Sequence, residues 1–501
     1  MRQYFNPVIP GCYPDPSICR VKDHYYLVAS SFEYFPGIPI FESIDLINWR
    51  SLGCVLNRPE QVDLKGSNGH SGIFAPTIRY YDGMFYVVAT NVSHGGHFVV
   101  KSKDPRKGWS NPIYINQEGI DPSLYFERKT AYLLSTAKDH GKDAILISKV
   151  NLDTGETRCP HYLWHGDGGR YLEGPHLYKI NGFYYLLASE GGTEYGHMLV
   201  LARSRTLLGK YIPCPDNPIL TNRNLGGYEL QGTGHGDLIQ DINGRWWIVF
   251  LGFRQLGQYL QFHTLGREVN LLPVVFRNNW INIKDKIARL KIVTNRKIPR
   301  QKRLKDKKQK DLKIGDDSVF LRNPNLKNYE LTSNLFKLKG DRPLSERLIS
   351  PTALFTRQRS FNDLFSAKVN VKESMAGLTA YLESDQHYDL ILEERNGKWI
   401  LSRRLSIGAA IDEKVIASVE KVSGKGLPKL MIECKKGYYI LKARISNKNI
   451  NCGRYDARFL SSEVAGDFTG VMLGIFIEKQ GTATFSEIEV KRNGRKLWER
   501  F

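Results

Sequence analysis

Residues 15–30, DPSICRVKDHYYLVAS, hold the pattern that decides the fold of this chain. A short apolar segment is followed by a polar turn and then by a second segment rich in aromatic and aliphatic residues. The pattern returns four times, as APTIRYYDGMFYVVAT at 75–90, DPSLYFERKTAYLLST at 121–136, GPHLYKINGFYYLLAS at 174–189 and HGDLIQDINGRWWIVF at 235–250. Every copy has an aromatic residue at its twelfth position, namely Tyr26, Tyr86, Tyr132, Tyr185 and Trp246.

Each copy is typical of two antiparallel strands joined by a tight turn, and three copies carry Asp-Gly or Asn-Gly at that turn. Successive copies begin 60, 46, 53 and 61 residues apart. This spacing leaves room for about four strands in each repeat, which is the size of a propeller blade. The repeats therefore predict an all-β fold in which residues 1–285 form a five-bladed β-propeller.

The second half of the chain follows another pattern. Residues 318–501 contain segments such as LFSAKVNV, YDLILEE and YYILKARI, separated by turn residues. These segments predict an antiparallel β-sandwich. Residues 286–317 are predicted to link the two domains, and no long segment of the sequence has a helical period.

The basic charge of the chain is concentrated in one segment. The 501 residues contain 72 Lys and Arg against 51 Asp and Glu, a net charge of +21. Residues 284–313 alone carry a net charge of +11, whereas residues 1–283 carry +2 and residues 314–501 carry +8. A charge run of this kind is usually a solvated segment. A nucleic-acid-binding arm is the alternative, but no motif supports it, so we expect no nucleic-acid partner.

Other features of the sequence favour a cytoplasmic protein that does not contact a membrane. No run of about 18 apolar residues is present, and the first residues, MRQYFNPVIPG, lack the apolar region of a secretory signal. The seven cysteines are scattered and form no C-x-x-C pair, which indicates thiols rather than a disulfide framework or a zinc site.

Acidic residues stand at equivalent positions of the repeats. The start of each repeat is predicted to lie on the innermost strand of its blade, so these positions converge on the propeller axis. Asp15 and Asp121 begin two copies, Glu173 precedes the fourth and His235 begins the fifth, whereas Ala75 begins the second. An isolated Asp-Pro is usually a turn. That interpretation does not explain three carboxylates and an imidazole on one axis.

Clustered carboxylates predict a particular chemistry. Because they repel one another, at least one is expected to have a raised pKa, as a general acid near neutral pH requires. Two carboxylates with separate roles are the usual means of cleaving a glycosidic bond. The sequence contains neither a Gly-rich phosphate loop with its lysine nor a G-x-S-x-G nucleophile elbow.

Three further side chains are candidates for a sugar site. Phe32 follows the buried strand of the first repeat and Phe74 precedes the second repeat, so both are expected in loops at the propeller mouth. Packing in the core is the alternative for each. Arg267, in HTLGRE, follows the strands of the last blade and can return to the axis to hold a carboxylate ionised or to bind sugar hydroxyls. The alternative interpretation of Arg267 is a surface ion pair.

These segments resemble glycoside hydrolase family 43, the family of β-xylosidases and α-L-arabinofuranosidases. The matching segments are NPVIPGCYPDPSI, SSFEYFPGIPIFESIDLINW, GIDPSL, YLEGPHLYKINGFYYLLASEGGTEYGHM, QGTGHGDL and HTLGRE. In the second half, SPTALFTRQRS and GDFTGVMLGIF resemble the concanavalin-like β-sandwich that the family appends. The segment GIFAPT departs from the family pattern, since relatives often have Trp or Tyr where this chain has Phe74.

The resemblance implies an inverting mechanism with defined roles. Asp15 would be the general base that activates water, and Glu173 would be the general acid that protonates the leaving oxygen. Asp121 would raise the pKa of Glu173 and orient it. Arg267 would contact both the sugar and Asp15, and His235 would lie in the channel.

The resemblance also implies the surroundings of the acids. Phe32 and Phe74 would line the sugar pocket, and Phe468, in GDFTG, would reach its rim from the sandwich. The family often holds a water or a calcium ion near the position of His235, so Ca²⁺ is expected there at most, and no other cofactor is required.

The sequence thus predicts an exo-acting hydrolase that removes β-D-xylosyl or α-L-arabinofuranosyl units from the non-reducing ends of pentose oligosaccharides. A retaining fructan or sucrose hydrolase and a non-catalytic sugar-binding propeller are the alternatives. The first carries its nucleophile in a W-x-N-D-P-N-type motif, whereas Asp15 stands in YPDPSI. A sugar-binding module does not need three acids on the propeller axis, which argues against the second alternative. Whether the chain forms a homo-oligomer stays open.

Overall fold

The structure is a computed structural model that describes residues 2–257, 259–295, 317–332, 335–421, 426–492 and 495–496. Within these ranges the chain is almost entirely β. Its α-helix is the single turn Ser462–Ala465. The 3₁₀ turns are Pro59–Gln61, Lys284–Lys286, Leu326–Asn328 and Ala457–Leu460. No helix of the described residues is long and apolar enough to cross a membrane.

Five antiparallel sheets correspond to the five sequence repeats. Blade 1 consists of Ser17–Val21, His24–Val28, Gly37–Ser43 and Arg50–Leu56. Blade 2 consists of Ile73–Tyr81, Met84–Asn91, Gly96–Ser102 and Ile113–Tyr114. Blade 3 consists of Ile120–Glu127, Thr130–Asp139, Lys142–Val150 and Thr157–Trp164. Blade 4 consists of Glu173–Ile180, Phe183–Glu190, Met198–Ser204, Ile212–Pro213 and Leu220–Thr221. Blade 5 consists of Leu230–Gln240, Trp246–Arg254 and Glu268–Pro273.

The first strands of neighbouring blades contact one another in a closed ring, from blade 1 through blade 5 and back to blade 1. These strands are therefore the innermost ones, as the repeat predicted, and the five-bladed propeller is confirmed. The fourteenth position of every repeat, two residues after the shared aromatic residue, is fully buried. These residues are Val28, Val88, Leu134, Leu187 and Ile248.

The N-terminal segment closes the ring against blade 5. The Val8 amide donates to the Val269 carbonyl at 2.8 Å, and the Tyr13 amide donates to the Arg267 carbonyl at 3.0 Å. Because a closed ring leaves few unpaired strand edges, this closure protects the last blade.

The propeller extends further along the chain than residue 285, the predicted boundary. The hairpin Val275–Arg277 and Trp280–Asn282 precedes that boundary, but the strand Lys291–Thr294 follows it and pairs with Arg2–Phe5. The first residues of the predicted linker therefore pack on the propeller. Most of the predicted basic linker, at 296–316, lies outside the described residues.

The repeat starts have an unusual backbone. Asp15, Asp121, Gly174 and His235 occupy equivalent positions and have φ values of 55°, 55°, 59° and 43°. The pairing register shifts at this point in the first strands of blades 2 to 5. A β-bulge turns a side chain out of the strand's regular alternation, and a non-glycine residue in the left-handed region stores strain. This backbone thus turns the side chains of Asp15, Asp121 and His235 towards the axis.

The second domain is a sandwich of two sheets. One sheet contains, in order, Ala410–Glu420, Lys398–Ile407, Gln386–Arg395, Met375–Glu383, Met472–Glu478, Ala353–Arg357, Ser318–Leu321 and Tyr34–Phe35. The other contains Tyr329–Leu331, Leu335–Gly340, Gly481–Arg492, Asp363–Lys372, Lys429–Lys435, Tyr438–Ile445 and Lys448–Asp456, with Arg495–Lys496 on Gly481–Arg492. The predicted antiparallel β-sandwich is confirmed.

The two domains share one sheet. The last strand of the first sandwich sheet, Tyr34–Phe35, comes from a loop of blade 1 and pairs with Ser318–Leu321, so that Phe35 lies opposite Phe320. Across the same interface, Arg357 Nε donates to the Cys12 carbonyl at 2.8 Å. The sandwich is therefore fixed against the end of the propeller at which Asp15 and Arg267 lie.

Three acids are buried at the domain interface, and we call Glu33, Glu383 and Asp467 the interface acids. Arg322 donates to Glu33 Oε2 at 2.9 Å, and the Gly69 amide donates to Glu383 Oε2 at 2.8 Å. Burial raises the pKa of Glu33 well above its usual value, and Glu383 raises it further although Arg322 opposes this. Burial and then Glu383 raise the pKa of Asp467 to about 7. Glu33 and Asp467 thus retain protons near neutral pH.

Candidate active site

Three carboxylates meet at the axis, as the repeat predicted, and we call Asp15, Asp121 and Glu173 the axial acids. Asp121 and Glu173 lie at the beginnings of the innermost strands of blades 3 and 4, and Asp15 lies just before that of blade 1. Asp15 and Asp121 are buried, whereas the side chain of Glu173 is 18 % exposed. Glu173 is therefore the axial acid that a molecule entering from solvent reaches most directly.

Asp15 is surrounded by donors. Ser30 Oγ donates to its Oδ2 at 2.5 Å, and Arg267 Nη1 donates to its Oδ1 at 3.2 Å. His235 Nδ1 lies 3.5 Å from the same Oδ1. Burial alone would raise the pKa of Asp15, but the charges of Arg267 and His235 and the Ser30 hydrogen bond outweigh it, so the pKa is lowered. Asp15 is consequently ionised at neutral pH.

Asp121 has the opposite environment. The backbone amide of Gly174, next to Glu173, donates to its Oδ2 at 3.0 Å. Burial raises the pKa of Asp121 to about 7, and the negative charges of Glu173 and Asp15 contribute to this although His235 opposes it. In the absence of ligand, Asp121 is thus the axial acid that holds a proton near neutral pH.

Glu173 does not have the raised pKa that the resemblance implied. Burial raises its pKa, but contact with His197 and the charge of His235 outweigh burial, so its pKa is lowered. His197 Nε2 lies 2.8 Å from Glu173 Oε1. In the absence of ligand the imidazole of His197 therefore lowers the pKa of Glu173, and the role predicted for Asp121 stays a prediction. The two acids titrate as an interacting pair.

Arg267 links the axial acids to the sandwich. Besides Asp15, its Nη1 donates to Thr193 Oγ1 at 2.7 Å, and its Nη2 donates to the Phe468 carbonyl at 3.1 Å. The guanidinium lies 5.5 Å from the centroid of the Phe32 ring, within cation–π distance. Arg267 is buried, so the alternative of a surface ion pair does not apply.

Three aromatic rings from different parts of the chain form one cluster beside Arg267. The Phe32 and Phe74 ring centroids are 5.1 Å apart, and Phe468 lies 6.4 Å from each. Phe32 is buried, Phe74 is half-buried and Phe468 is 37 % exposed. The structure thus brings all three predicted aromatic residues together, and the sandwich supplies the most exposed one.

His235 lies among the axial acids. Its side chain packs on Gly174, where an added Cβ would sit 2.9 Å from Nε2, and its backbone amide donates to Ser189 Oγ at 2.6 Å. Calcium prefers six to eight oxygen ligands. The described residues contain no group of three or more His, Cys, Asp or Glu placed to hold a metal ion, and Ser30 and Arg267 occupy the Asp15 oxygens. A calcium ion beside His235 therefore stays a prediction.

A second polar layer lies along the innermost strands, further from their beginnings. Asp237 Oδ2 accepts hydrogen bonds from Ser17 Oγ and Arg79 Nη1, both at 2.7 Å, and Asp237 Oδ1 accepts one from the Tyr178 hydroxyl at 2.5 Å. The other terminal nitrogen of Arg79 lies 2.9 Å from His176 Nδ1. Because this network joins blades 1, 2, 4 and 5, it braces the strands that carry the axial acids.

Sequence reasoning missed Ser30, Thr193 and His197. Ser30 ends the first repeat, and the other two lie in the segment EGGTEYGH at 190–197, whose Gly-rich loop was a signal of a special backbone. Their contacts with the axial acids and Arg267 depend on loops from different blades, which no local pattern encodes.

The cleavage of a glycosidic bond requires paired carboxylates in different protonation states, and here one of the axial acids, Glu173, is open to solvent. On this propeller they define a glycoside hydrolase. The chain belongs to glycosyl hydrolase family 43, whose family model matches residues 4–281. A second family model, the beta xylosidase C-terminal concanavalin A-like domain, matches residues 312–491.

Several relatives match along nearly the whole chain. A non-reducing end alpha-L-arabinofuranosidase of Bacteroides ovatus is 35% identical over 96% of this chain and 92% of its own. A xylosidase/arabinosidase of Butyrivibrio fibrisolvens is 32% identical over 95% of this chain and 96% of its own. The crystal structure of a xylan beta-1,4-xylosidase from Bacillus halodurans is 28% identical, covers 97% of this chain and 100% of its own, and has a TM-score of 0.89. These matches do not favour the fructan-hydrolase and sugar-binding alternatives.

Proposed function

We propose that this enzyme removes β-D-xylosyl or α-L-arabinofuranosyl units from the non-reducing ends of short pentose oligosaccharides, with inversion at the anomeric carbon. The observation that carries the proposal is the meeting of the three axial acids in one site: Arg267 binds Asp15, the Gly174 amide binds Asp121, and Glu173 is the partly exposed one. An inverting glycosidase needs a base and an acid in the same site at the same pH.

Asp15 is the proposed general base. Its carboxylate accepts one proton from a water molecule while the oxygen of that water attacks the anomeric carbon. Ser30 on Oδ2 and Arg267 on Oδ1 fix the plane of the carboxylate. Because the carboxylate is already held in one orientation, the reaction does not pay the entropic cost of ordering the base.

Glu173 is the proposed general acid. It donates its proton to the leaving oxygen, which also takes the electron pair of the breaking C–O bond. In the absence of ligand the shared proton favours Asp121. A bound sugar covers the exposed 18 % of Glu173 and removes water from its carboxylate, which shifts the proton toward Glu173. Asp121 then acts as a positioning residue through the Gly174 amide.

The sandwich contributes to substrate selection. Phe468 extends the Phe32 and Phe74 cluster on the side where the second domain covers the propeller, and Arg267 binds the Phe468 carbonyl. A site walled by a second domain favours exo action over cleavage within a long polymer. The names of the relatives include both xylosidases and arabinofuranosidases, which supports the two pentoses as substrates.

Kinetics on paired substrates test the proposal. We expect measurable kcat/KM on an aryl β-D-xyloside or an aryl α-L-arabinofuranoside, very little on the matching β-D-glucoside, and inverted configuration in the first released sugar by ¹H NMR. Retained configuration would reject the roles of Asp15 and Glu173. Activity on neither pentoside would reject the substrate class, and a Glu173→Ala variant with the wild-type rate would reject the assignment of the acid.

A further inference from the structure

His197 is a fully buried imidazole that the mechanism above does not use. It directly precedes the strand Met198–Ser204 of blade 4, and its Nε2 lies 2.8 Å from Oε1 of Glu173. Neither ring nitrogen has a properly aligned hydrogen-bond partner among the described residues. A buried polar group without such a partner is costly, so its retention points to a function.

The ring of His197 is held in place from two sides. An added Cβ on Gly234, in blade 5, would sit 2.4 Å from Cε1 of His197, so the imidazole packs directly on that backbone. Its own backbone amide donates to the Glu194 carbonyl at 3.0 Å, and its carbonyl accepts from Thr221 Oγ1 at 2.9 Å. The ring is therefore a rigid contact for Glu173 rather than a mobile one.

The other buried histidines near the axis have different partners. His235 adjoins Asp15, and His176 adjoins Arg79 in the second polar layer. His197 is thus the histidine in contact with Glu173. It touches Oε1, while no hydrogen bond from the described residues reaches Oε2 of Glu173.

We propose that His197 is a positioning residue that holds Oε1 of Glu173, so that Oε2 is the oxygen that presents the proton to the leaving group. This inference rests on the proposed role of Glu173 as general acid. The contact is not aligned as a hydrogen bond in the absence of ligand, as catalytic contacts often are not before substrate binds. His197 neither touches the sugar nor exchanges a proton with it.

Leaving-group dependence tests the proposal. Xylobiose needs protonation of its leaving oxygen, whereas 2,4-dinitrophenyl β-D-xyloside does not. For His197→Phe, which keeps the ring volume but has no nitrogen, we expect kcat on xylobiose to fall roughly 100-fold, the lower end of what general acid catalysis contributes. On the dinitrophenyl substrate we expect a change of less than about threefold, and His197→Gln, which still carries a donor, should recover part of the loss on xylobiose.

A matched control is His97→Phe, which changes a buried histidine of blade 2 that contacts Thr90 and the Glu118 carbonyl instead of an axial acid. It should affect both substrates equally. An equal loss on both substrates in His197→Phe, or an unchanged rate on xylobiose, would overturn the proposal. If His197→Phe does not fold, His197→Asn gives the same comparison, since its shorter amide does not reach Oε1.

A measurement without turnover separates this proposal from the proposed function. In enzyme labelled with ¹³C at the glutamate carboxyls, the signal lost in Glu173→Gln identifies Glu173. We expect this signal to titrate at higher pH in His197→Phe than in the wild type, because the contact lowers the pKa of Glu173. An unchanged titration would overturn the role of His197 even if the enzyme cleaves both pentosides, and failure to cleave either would reject only the proposed function.

Discussion

The axial acids and the interface acids are both groups of three carboxylates, but their surroundings differ. The axial acids meet Arg267, His197 and His235, whereas Arg322 is the one Arg or Lys that forms an ion pair with the interface acids in the described chain. Each group retains a proton near pH 7, on Asp121 and on Asp467. Buried acids with a raised pKa are therefore not sufficient for catalysis. Two features distinguish the axial acids from the interface acids. Glu173 is partly exposed to solvent, and Asp15 is ionised beside the protonated Asp121.

The largest expected effect is the loss of activity when an axial acid is replaced. Glu173→Gln removes the proposed acid while keeping its shape, so kcat on xylobiose should fall about 10³-fold. The melting temperature should stay within a few degrees of the wild-type value, because Glu173 is partly exposed. Steady-state kinetics and differential scanning calorimetry measure the two quantities, and a large loss of stability with little loss of rate would remove the distinction between the groups.

The next largest expected effect is the loss of stability when the interface acids lose their arginine. Arg322→Met leaves the buried carboxyl of Glu33 without its hydrogen-bond donor, and an unsatisfied buried group of this kind costs about 1–3 kcal/mol of unfolding free energy. Chemical denaturation measures this loss. The exposed pair of Lys337 and Glu330 supplies the control, since Lys337→Met should cost less than about 1 kcal/mol. Equal costs would mean that the interface acids are not held by Arg322.

The pH dependence of activity reports the proton shared by Asp121 and Glu173. Since Asp121 is protonated up to about pH 7, kcat/KM should decline as the pH rises through about 7 and the axial pair loses its proton. Asp121→Asn should shift this decline, with a smaller loss of rate than Glu173→Gln. The measurement is a pH profile on an aryl pentoside, and an unshifted alkaline limb would show that the proton belongs to another group.

The pH dependence of stability is a smaller effect. The pKa of Asp467 is raised from 3.8 to about 7 by folding, so its contribution is complete below about pH 4 and is lost as the pH rises through about 7. Asp467→Asn should flatten the fall in melting temperature between pH 5 and 8. Asp121→Asn should flatten it as well, since the shift has the same sign, but only this variant should also lose activity.

The smallest effect concerns the residue that joins the two regions. Phe468 follows Asp467 and packs with Phe32 and Phe74. Phe468→Leu should raise KM by roughly two- to tenfold, as the loss of aromatic contacts worth about 0.5–1.5 kcal/mol predicts, with little change in kcat. An equal loss in kcat would place Phe468 in the chemical step instead.

The sequence predicted the features that repeat. Five copies of one pattern predicted the blades, and the equivalent positions of Asp15, Asp121 and His235 brought these side chains to the axis because the same left-handed backbone recurs there. The position of Phe468 came only from the resemblance, since no repeat links the sandwich to the propeller.

The sequence did not predict features that depend on contacts between distant segments. The lowered pKa of Glu173 depends on His197, which lies just before another strand of blade 4, and the raised pKa of Asp121 depends on burial and on Glu173 and Asp15. The strand Lys291–Thr294 is short and lies among many charged residues, so it cannot be recognised from the sequence without its partner Arg2–Phe5. A local sequence pattern indicates the secondary structure that each segment prefers, whereas these features depend on which distant segments come into contact.

The strand Tyr34–Phe35 has a consequence for protein engineering. Because this piece of the propeller completes a sheet of the sandwich, a cut within the 296–316 segment does not yield two modules. The released sandwich would expose the apolar edge of Ser318–Leu321, which invites self-association, and the released propeller would expose Phe35 to water. Exchange of the sandwich between relatives therefore requires that the blade 1 loop be exchanged with it.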